Sequence, residues 1–312
     1  MIVPDARITL RPDFLRELHR SRRAHWPRLA IFILIYLSAA SATFWLISSY
    51  PHQPTIYFAC VPLYLLAAAS LHGISLFTHE AVHGTLSSNP ILNRALGALC
   101  AWPVLQNFAA YKVLHLRHHD HLGLPGDPDH YDNYTHWTWL LFAMHWGRLI
   151  AGYPAYIVAI PILGFRQGRG WERFWIIFES SCVVALVAVV LLSPIPRALL
   201  VHAWLIPMLF INTLVNIRGM SQHTMLEHHA DPILGTRSIL TNRVTAFFMC
   251  NENYHLEHHI YPGVPWYNLP RLHEAMKDDL ERLGAPYIGS YFAFVRAFAV
   301  GSLGRSPLGR GR

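Results

Sequence analysis

Twenty-one of the 312 residues are histidine, nearly as many as the 25 lysines and arginines together. Eight of them fall into three short clusters: His79-Glu80-Ala81-Val82-His83, His115-Leu116-Arg117-His118-His119 and His255-Leu256-Glu257-His258-His259. On a helix, residues three and four apart share a face, so the spacing predicts that each cluster presents two or three imidazoles to one point. Imidazole is a ligand for iron, copper, zinc and nickel. A catalytic zinc takes about three protein ligands and a structural one about four, so eight converging rings exceed the needs of one ion and suit two. Attack on an unactivated C–H bond needs an oxidant made from O2 and hence a redox metal, which zinc is not. Carboxylates beside the clusters (Glu80, Asp127, Asp129, Asp132, Glu252 and Glu257, with Asn253) are candidates for orienting the ring N–H groups.

These clusters need elements to hold them. The chain is 53% hydrophobic and only 14% charged, with a mean hydropathy of +0.26. A soluble domain carries about a quarter charged residues, so a water-soluble globule is excluded. The net charge is +7 and the pI about 9.4, yet the basic residues do not form blocks that would track a phosphate backbone, and nucleic acid is not an expected partner. Cys60, Cys100, Cys182 and Cys250 are far apart and imply neither a disulfide framework nor a CxxC metal clamp.

Four apolar stretches reach the roughly 20 residues a membrane helix needs: residues 29–47, 56–77, 174–192 and 198–217. Short connectors containing Pro51, Pro54, Pro194 and Pro196 make two helical hairpins of them. The expected organisation is a cytoplasmic N-terminal segment (1–28), a membrane domain (29–300) and a disordered Gly/Arg/Ser-rich tail (301–312). Arg7, Arg11, Arg16, Arg20, Arg22, Arg23 and Arg28 hold the N-terminus in the cytoplasm by the positive-inside rule. Two complete hairpins then leave all three histidine clusters on that same side. Residues 137–165 are apolar, but Pro154, Pro161 and arginines at both ends (Arg148; Arg166, Arg169, Arg173) predict a segment lying along the interface or dipping in and returning. Residues 96–108 are too short to cross. The expected fold is therefore all-α and integral to the membrane: four spans in two hairpins, interfacial helices, and a cytoplasmic histidine-rich cap.

Asn212, Asn216 and His223 form one polar stripe near the end of the last span. Polar residues in a span face the protein interior and mark function, so His223 is the expected ninth ligand. His228 is its competitor.

HEAVH, HLRHH and NENYHLEHH, followed by YPGVPWYNLPRLH, resemble the three histidine boxes of the membrane fatty acid desaturase superfamily, which includes acyl-lipid desaturases, lipid hydroxylases and carotenoid ketolases. The resemblance runs from about residue 71 to residue 273. It implies two iron ions, with O2 as co-substrate, held by His79, His83, His115, His118, His119, His223, His255, His258 and His259. It also implies an oxidoreductase acting on an apolar chain, a fatty acyl desaturase first, with a hydroxylase or ketolase of a lipid or carotenoid as the alternative. No segment resembles a fused cytochrome b5 domain, so a separate donor of ferredoxin or cytochrome b5 type, with its reductase, is the expected partner beside the acyl-chain substrate and membrane lipids.

The first cluster also spells HExxH, the zinc protease motif; that reading leaves six clustered histidines unused. A metal transporter would hold its ligands at mid-membrane, not at helix ends. The expected substrate tunnel lies between spans two and four and the 96–108 segment. Trp102, Asn107, Tyr111, Trp137 and Trp146 are candidate linings, although interfacial anchoring suffices to explain any single aromatic. His72 shares the face of His79, and residues 261–267 read as a rigid loop over the metal centre.

Overall fold

A computed structural model of the chain describes residues 7–20, 24–226 and 229–303. Arg22, Arg23, the rival ligand His228 and tail residues 304–312 lie outside them. The order is α1 (Pro12–Arg20), α2 (His25–Ser49), α3 (Ile56–Val82), α4 (Pro90–Ala101), α5 (Phe108–His121), α6 (Thr138–Gln167), α7 (Trp171–Leu192), α8 (Arg197–Leu200), a π turn (Val201–Leu205), α9 (Ile206–His223), α10 (Pro232–Gly235), α11 (Arg243–Phe248), α12 (His255–Ile260), α13 (Leu269–Arg282) and α14 (Tyr291–Leu303). Two short parallel strands, β1 (Ser238–Ile239) and β2 (Tyr287–Ile288), tie the cap together.

The central helix is α3, whose apolar window is the most buried of the long helices. Its approach to α2 depends on Gly73: a Cβ there would fall 2.5 Å from the Phe32 ring. Phe32 and Phe77 anchor the shared core. Asparagine sets the start of α4 and of α5: Asn89 Oδ1 accepts from the Ile91 and Leu92 amides of α4, and Asn107 Oδ1 from the Ala110 amide of α5, satisfying donors a helix start leaves free. Below the membrane helices, α1 packs through Leu18 against Leu256, Leu269 and Leu272 of the cap.

Among the described residues five helices are long and apolar enough to cross a membrane: α2, α3, α6, α7 and the continuous helix Arg197–His223. The fifth candidate is α6, which the sequence assigns to the interface. It runs for 30 residues but breaks at Ala151 (φ −136°, ψ 18°), three residues before Pro154. The break is repaired from α9. A regular helix would pair the Tyr153 amide with the Leu149 carbonyl; instead Asn212 Oδ1 accepts from Tyr153 N at 2.7 Å, and Asn212 Nδ2 donates to Leu149 O at 2.7 Å. One side-chain amide thus replaces both halves of one broken bond. Next along the stripe, Asn216 Oδ1 accepts from Arg148 Nε at 3.1 Å. The two asparagines therefore fasten α9 to the kink of α6. Residues 96–108 form the end of α4, a 3-10 turn (Trp102–Val104) and the start of α5, too short to cross, as expected.

Candidate metal centre and cavity

His79 and His83 sit one turn apart at the end of α3, His115, His118 and His119 on α5, His223 at the end of α9, and His255, His258 and His259 on α12. Packing gathers all nine, but around two points rather than one per cluster. His79, His83, His115, His119 and His258 bring donor atoms within 4.8 Å of one another. Their Nε2 atoms are 3.0 Å apart for His83–His115, 3.0 Å for His115–His119 and 3.2 Å for His119–His258. The second point is made by His118, His223 and His259, joined by His255, whose Nε2 lies 3.0 Å from His223 and 3.1 Å from His259. Two donors each about 2.1 Å from one ion at right angles stand about 3.0 Å apart, so the spacings suit a shared ion. The second and third clusters each split. His115 and His119, four apart, face one point while His118 faces the other; His255 and His259 face the second while His258 crosses to the first. Nine rings divide five and four.

Ligation requires neutral imidazole. Burial, reinforced by the neighbouring rings, pulls His83, His115, His119, His258 and His259 well below the usual histidine range. Burial brings His255 down to about 4, partly offset by Glu252. His118 moves the other way: burial lowers it, but Asp129 and Asp127 together outweigh that and raise it. Asp127 Oδ1 lies 2.8 Å from His118 Nδ1, and the Gly235 carbonyl 3.0 Å from His223 Nδ1. Each takes the outer ring proton and leaves Nε2 free to face inward.

The Glu252 carboxylate faces rings of both points. Its carboxylate is 3.1 Å from His79 Nδ1 and 3.7 Å from His255 Nδ1, and Arg218 Nη1 lies 3.7 Å away. Burial pushes Glu252 up, but His79 and His255 hold it well below the usual carboxylate range. Two consecutive left-handed residues, Cys250 (φ 45°) and Asn251 (φ 53°), turn the chain just before it. Such conformations cost non-glycine residues energy and persist where the surroundings enforce them. Of the other carboxylates, Glu257 serves the cap instead, binding Ser238 and His273. Glu80 accepts from Thr85 Oγ1 at 2.6 Å and groups with His79 and Glu252, their donor atoms within 4.8 Å of one another. The buried Nε2 of His79 has no hydrogen-bond partner, as suits an atom that a metal ion would satisfy.

Both points open onto one cavity of about 670 Å³, which reaches His79, His115, His118, His223 and His255. Its walls come from α3, α5, α9 and, most extensively, α6, with Ala151, Ala155, Ala159 and Leu163 on the apolar side. Of the candidate linings only Tyr111 reaches it. Asn107 instead caps α5 and donates to the Ile176 carbonyl, and His72 is buried outside the cavity lining. In the 261–267 loop, Trp266 Nε1 donates to His25 Nδ1, tying the cap to the start of α2. Arg148, Arg218 and Tyr156 also line the cavity and were missed by sequence reasoning; a basic residue between apolar turns was the clue to Arg148.

The fatty acid desaturase family model matches residues 54–291, and the chain belongs to that family. Among curated proteins it is 29% identical over 247 residues to the dihydrorhizobitoxine desaturase of Bradyrhizobium elkanii, covering 68% of this chain and 65% of that enzyme. It is 26% identical over 254 residues to a beta-carotene ketolase of Paracoccus sp. (strain PC1), covering 78% and 89%. Against the sn-1 oleoyl-lipid 12-desaturase of Arthrospira platensis it is 23% identical over 234 residues, covering 66% and 65%. The chain thus spans just under two thirds of the length of two of these relatives. Its relatives are desaturases and ketolases, and the family is one of membrane-bound oxidoreductases.

Proposed function

We propose that the protein is an O2-dependent di-iron oxidoreductase that removes hydrogen from an unactivated methylene of an apolar chain, desaturation being the favoured outcome. The observation that carries this is the five-and-four division of nine buried or half-buried imidazoles around two points on one cavity. His79, His83, His115, His119 and His258 would hold one iron, and His118, His223, His255 and His259 the other. Bound there, the iron pair would supply the oxidising power for O2 chemistry. The chain's own part is to favour neutral rings by burial, to orient them through Asp127, Gly235 and Glu252, and to present the substrate in a mostly apolar pocket. Electrons would come from a separate ferredoxin or cytochrome b5 type donor. The ketolase alternative draws on the match to the Paracoccus enzyme, which covers 89% of that protein.

The proposed topology has the metal centre at the cytoplasmic face and four crossings. At the start of α2, His25 Nε2 lies 3.1 Å from the Thr85 carbonyl just past the end of α3, so those two ends share a side. The end of α9 carries His223 to the same centre, and α6 starts beside it, with Arg148 5.2 Å from the Tyr131 ring. Because α9 must begin on the far side, α6 and α7 together make one net crossing, which fits α7 as the span and kinked α6 as the segment that dips and returns.

The test is expression with a reductase system, iron analysis of the purified protein and mass analysis of extracted products. Two irons per chain with loss of two hydrogens supports the desaturase; oxygen gain supports the hydroxylase or ketolase. Activity in a preparation free of iron overturns the reading.

A further inference from the structure

Beyond the metal points the cavity is not uniformly apolar. Arg148 and Arg218 both line it. Arg148 is aimed by its Nε–H bond to Asn216 and by the Tyr131 ring beneath its guanidinium. A Cβ on Gly219 would lie 3.5 Å from Arg148 Nη2, so the fork of Arg148 rests on α9 one residue beyond Arg218. Among the described residues Arg148 makes no ion pair. Arg218 is 15% exposed and reaches only Glu252, at 3.7 Å, a carboxylate already shared by His79 and His255. The Arg218 Nε is buried with no hydrogen-bond partner. Beside them His145, nine-tenths buried and lining the same cavity, leaves its Nδ1 without a partner. Two acids also line this end: Asp129, 3.8 Å from His118 Nδ1, and Asp132.

Buried donors without acceptors are costly, and ionisable groups in a membrane protein mark the path of a substrate. The planar fork of arginine matches a carboxylate through two parallel hydrogen bonds. An ester-linked acyl chain of a membrane lipid, or a hydrocarbon chain, brings no such group into the pocket. We propose that Arg148 and Arg218 form a carboxylate-binding subsite, so that the substrate is an amphiphile with a free carboxylate and the carbon oxidised lies close to it. Five residues separate Arg218 from His223 on α9, about 7.5 Å along the helix axis, so the carboxylate and the metal point are only a short chain apart. This rests on the reading of the nine histidines as the oxidising centre, with the apolar wall of α6 receiving the rest of the molecule.

The experiment uses the full-length protein in detergent, with hexanoate and its neutral isostere hexanamide as probes in calorimetric titration, and iron content measured on the same samples. Hexanoate should bind at least tenfold more tightly than hexanamide. Arg148→Gln should weaken hexanoate at least tenfold and leave hexanamide unchanged, and Arg148→Lys, which keeps charge but not the fork, should fall between. Thermal unfolding of each variant confirms that the fold is kept, and Arg218→Gln is the second test if Arg148→Gln does not fold. Equal binding of the two probes, or hexanoate binding indifferent to Arg148→Gln and Arg218→Gln, overturns the subsite. Iron-free but carboxylate-selective protein would instead overturn the oxidising centre while leaving the subsite standing.

Discussion

The substitution Asn212→Ala isolates the device that shapes the cavity. In the intact protein one amide closes both ends of the gap at the α6 kink, accepting from Tyr153 N and donating to Leu149 O, each at 2.7 Å. Asn212 is 3% exposed, so water is not at hand to replace it. Removal orphans the Tyr153 amide, at about 1–3 kcal/mol for a buried unsatisfied donor. The Leu149 carbonyl keeps only Thr213 Oγ1 at 3.4 Å, a weaker bond, so the expected total is roughly 2–4 kcal/mol. At about 2 °C per kcal/mol for a chain of this size, the thermal midpoint in detergent should drop by about 4–8 °C. Thr213→Val alone should cost little, under about 0.5 kcal/mol. The double variant should lose more than the sum, because the carbonyl is then fully orphaned and the two sites share a partner. The assay is unfolding followed by monodisperse elution after heating, on the four proteins in parallel. A midpoint for Asn212→Ala within a degree of the parent, or strict additivity in the double variant, would refute the bridging account.

His118→Ala, His255→Ala and His258→Ala should each lose iron and activity together while the protein still inserts in the membrane; metal analysis of membrane-extracted protein checks this. His223→Ala should deplete iron far more than His228→Ala, and the reverse result would move the ninth ligand to His228. Glu252→Gln keeps shape but removes the charge facing His79 and His255, so iron affinity should fall about 10–100-fold with little change in the elution profile. Metal-free protein should lose stability on acidification. Burial holds His255 down to about 4, so below about pH 6.5 the unfolded chain takes up a proton that the fold refuses. That loss grows until about pH 4 and reaches about 3 kcal/mol for this ring at about 1.4 kcal/mol per unit, with His115, His119 and His259 adding in the same direction. A midpoint flat between pH 7 and 5 would contradict it. Finally, if a donor docks on the basic face by charge complementarity, turnover should fall steeply with salt; a flat response removes electrostatic docking.

The sequence by itself determined the family and the residue types gathered at the site. Three histidine clusters with helical spacing, apolar runs of span length and the arginine-rich N-terminal segment are local patterns, and local backbone geometry converts such spacing directly into a shared helix face. The polar stripe Asn212–Asn216–His223 was readable for the same reason, but its meaning was not: His223 joins the histidine cluster, while the asparagines mend a kink in another helix. Only tertiary structure decided how the faces meet. It split the clusters of α5 and α12 between two points, set one buried Glu252 against both, and made α6 the main cavity wall carrying Arg148. Each of these depends on contacts between residues 30 to 175 positions apart in the chain, and nothing in the periodicity of one helix encodes which face of another will close against it.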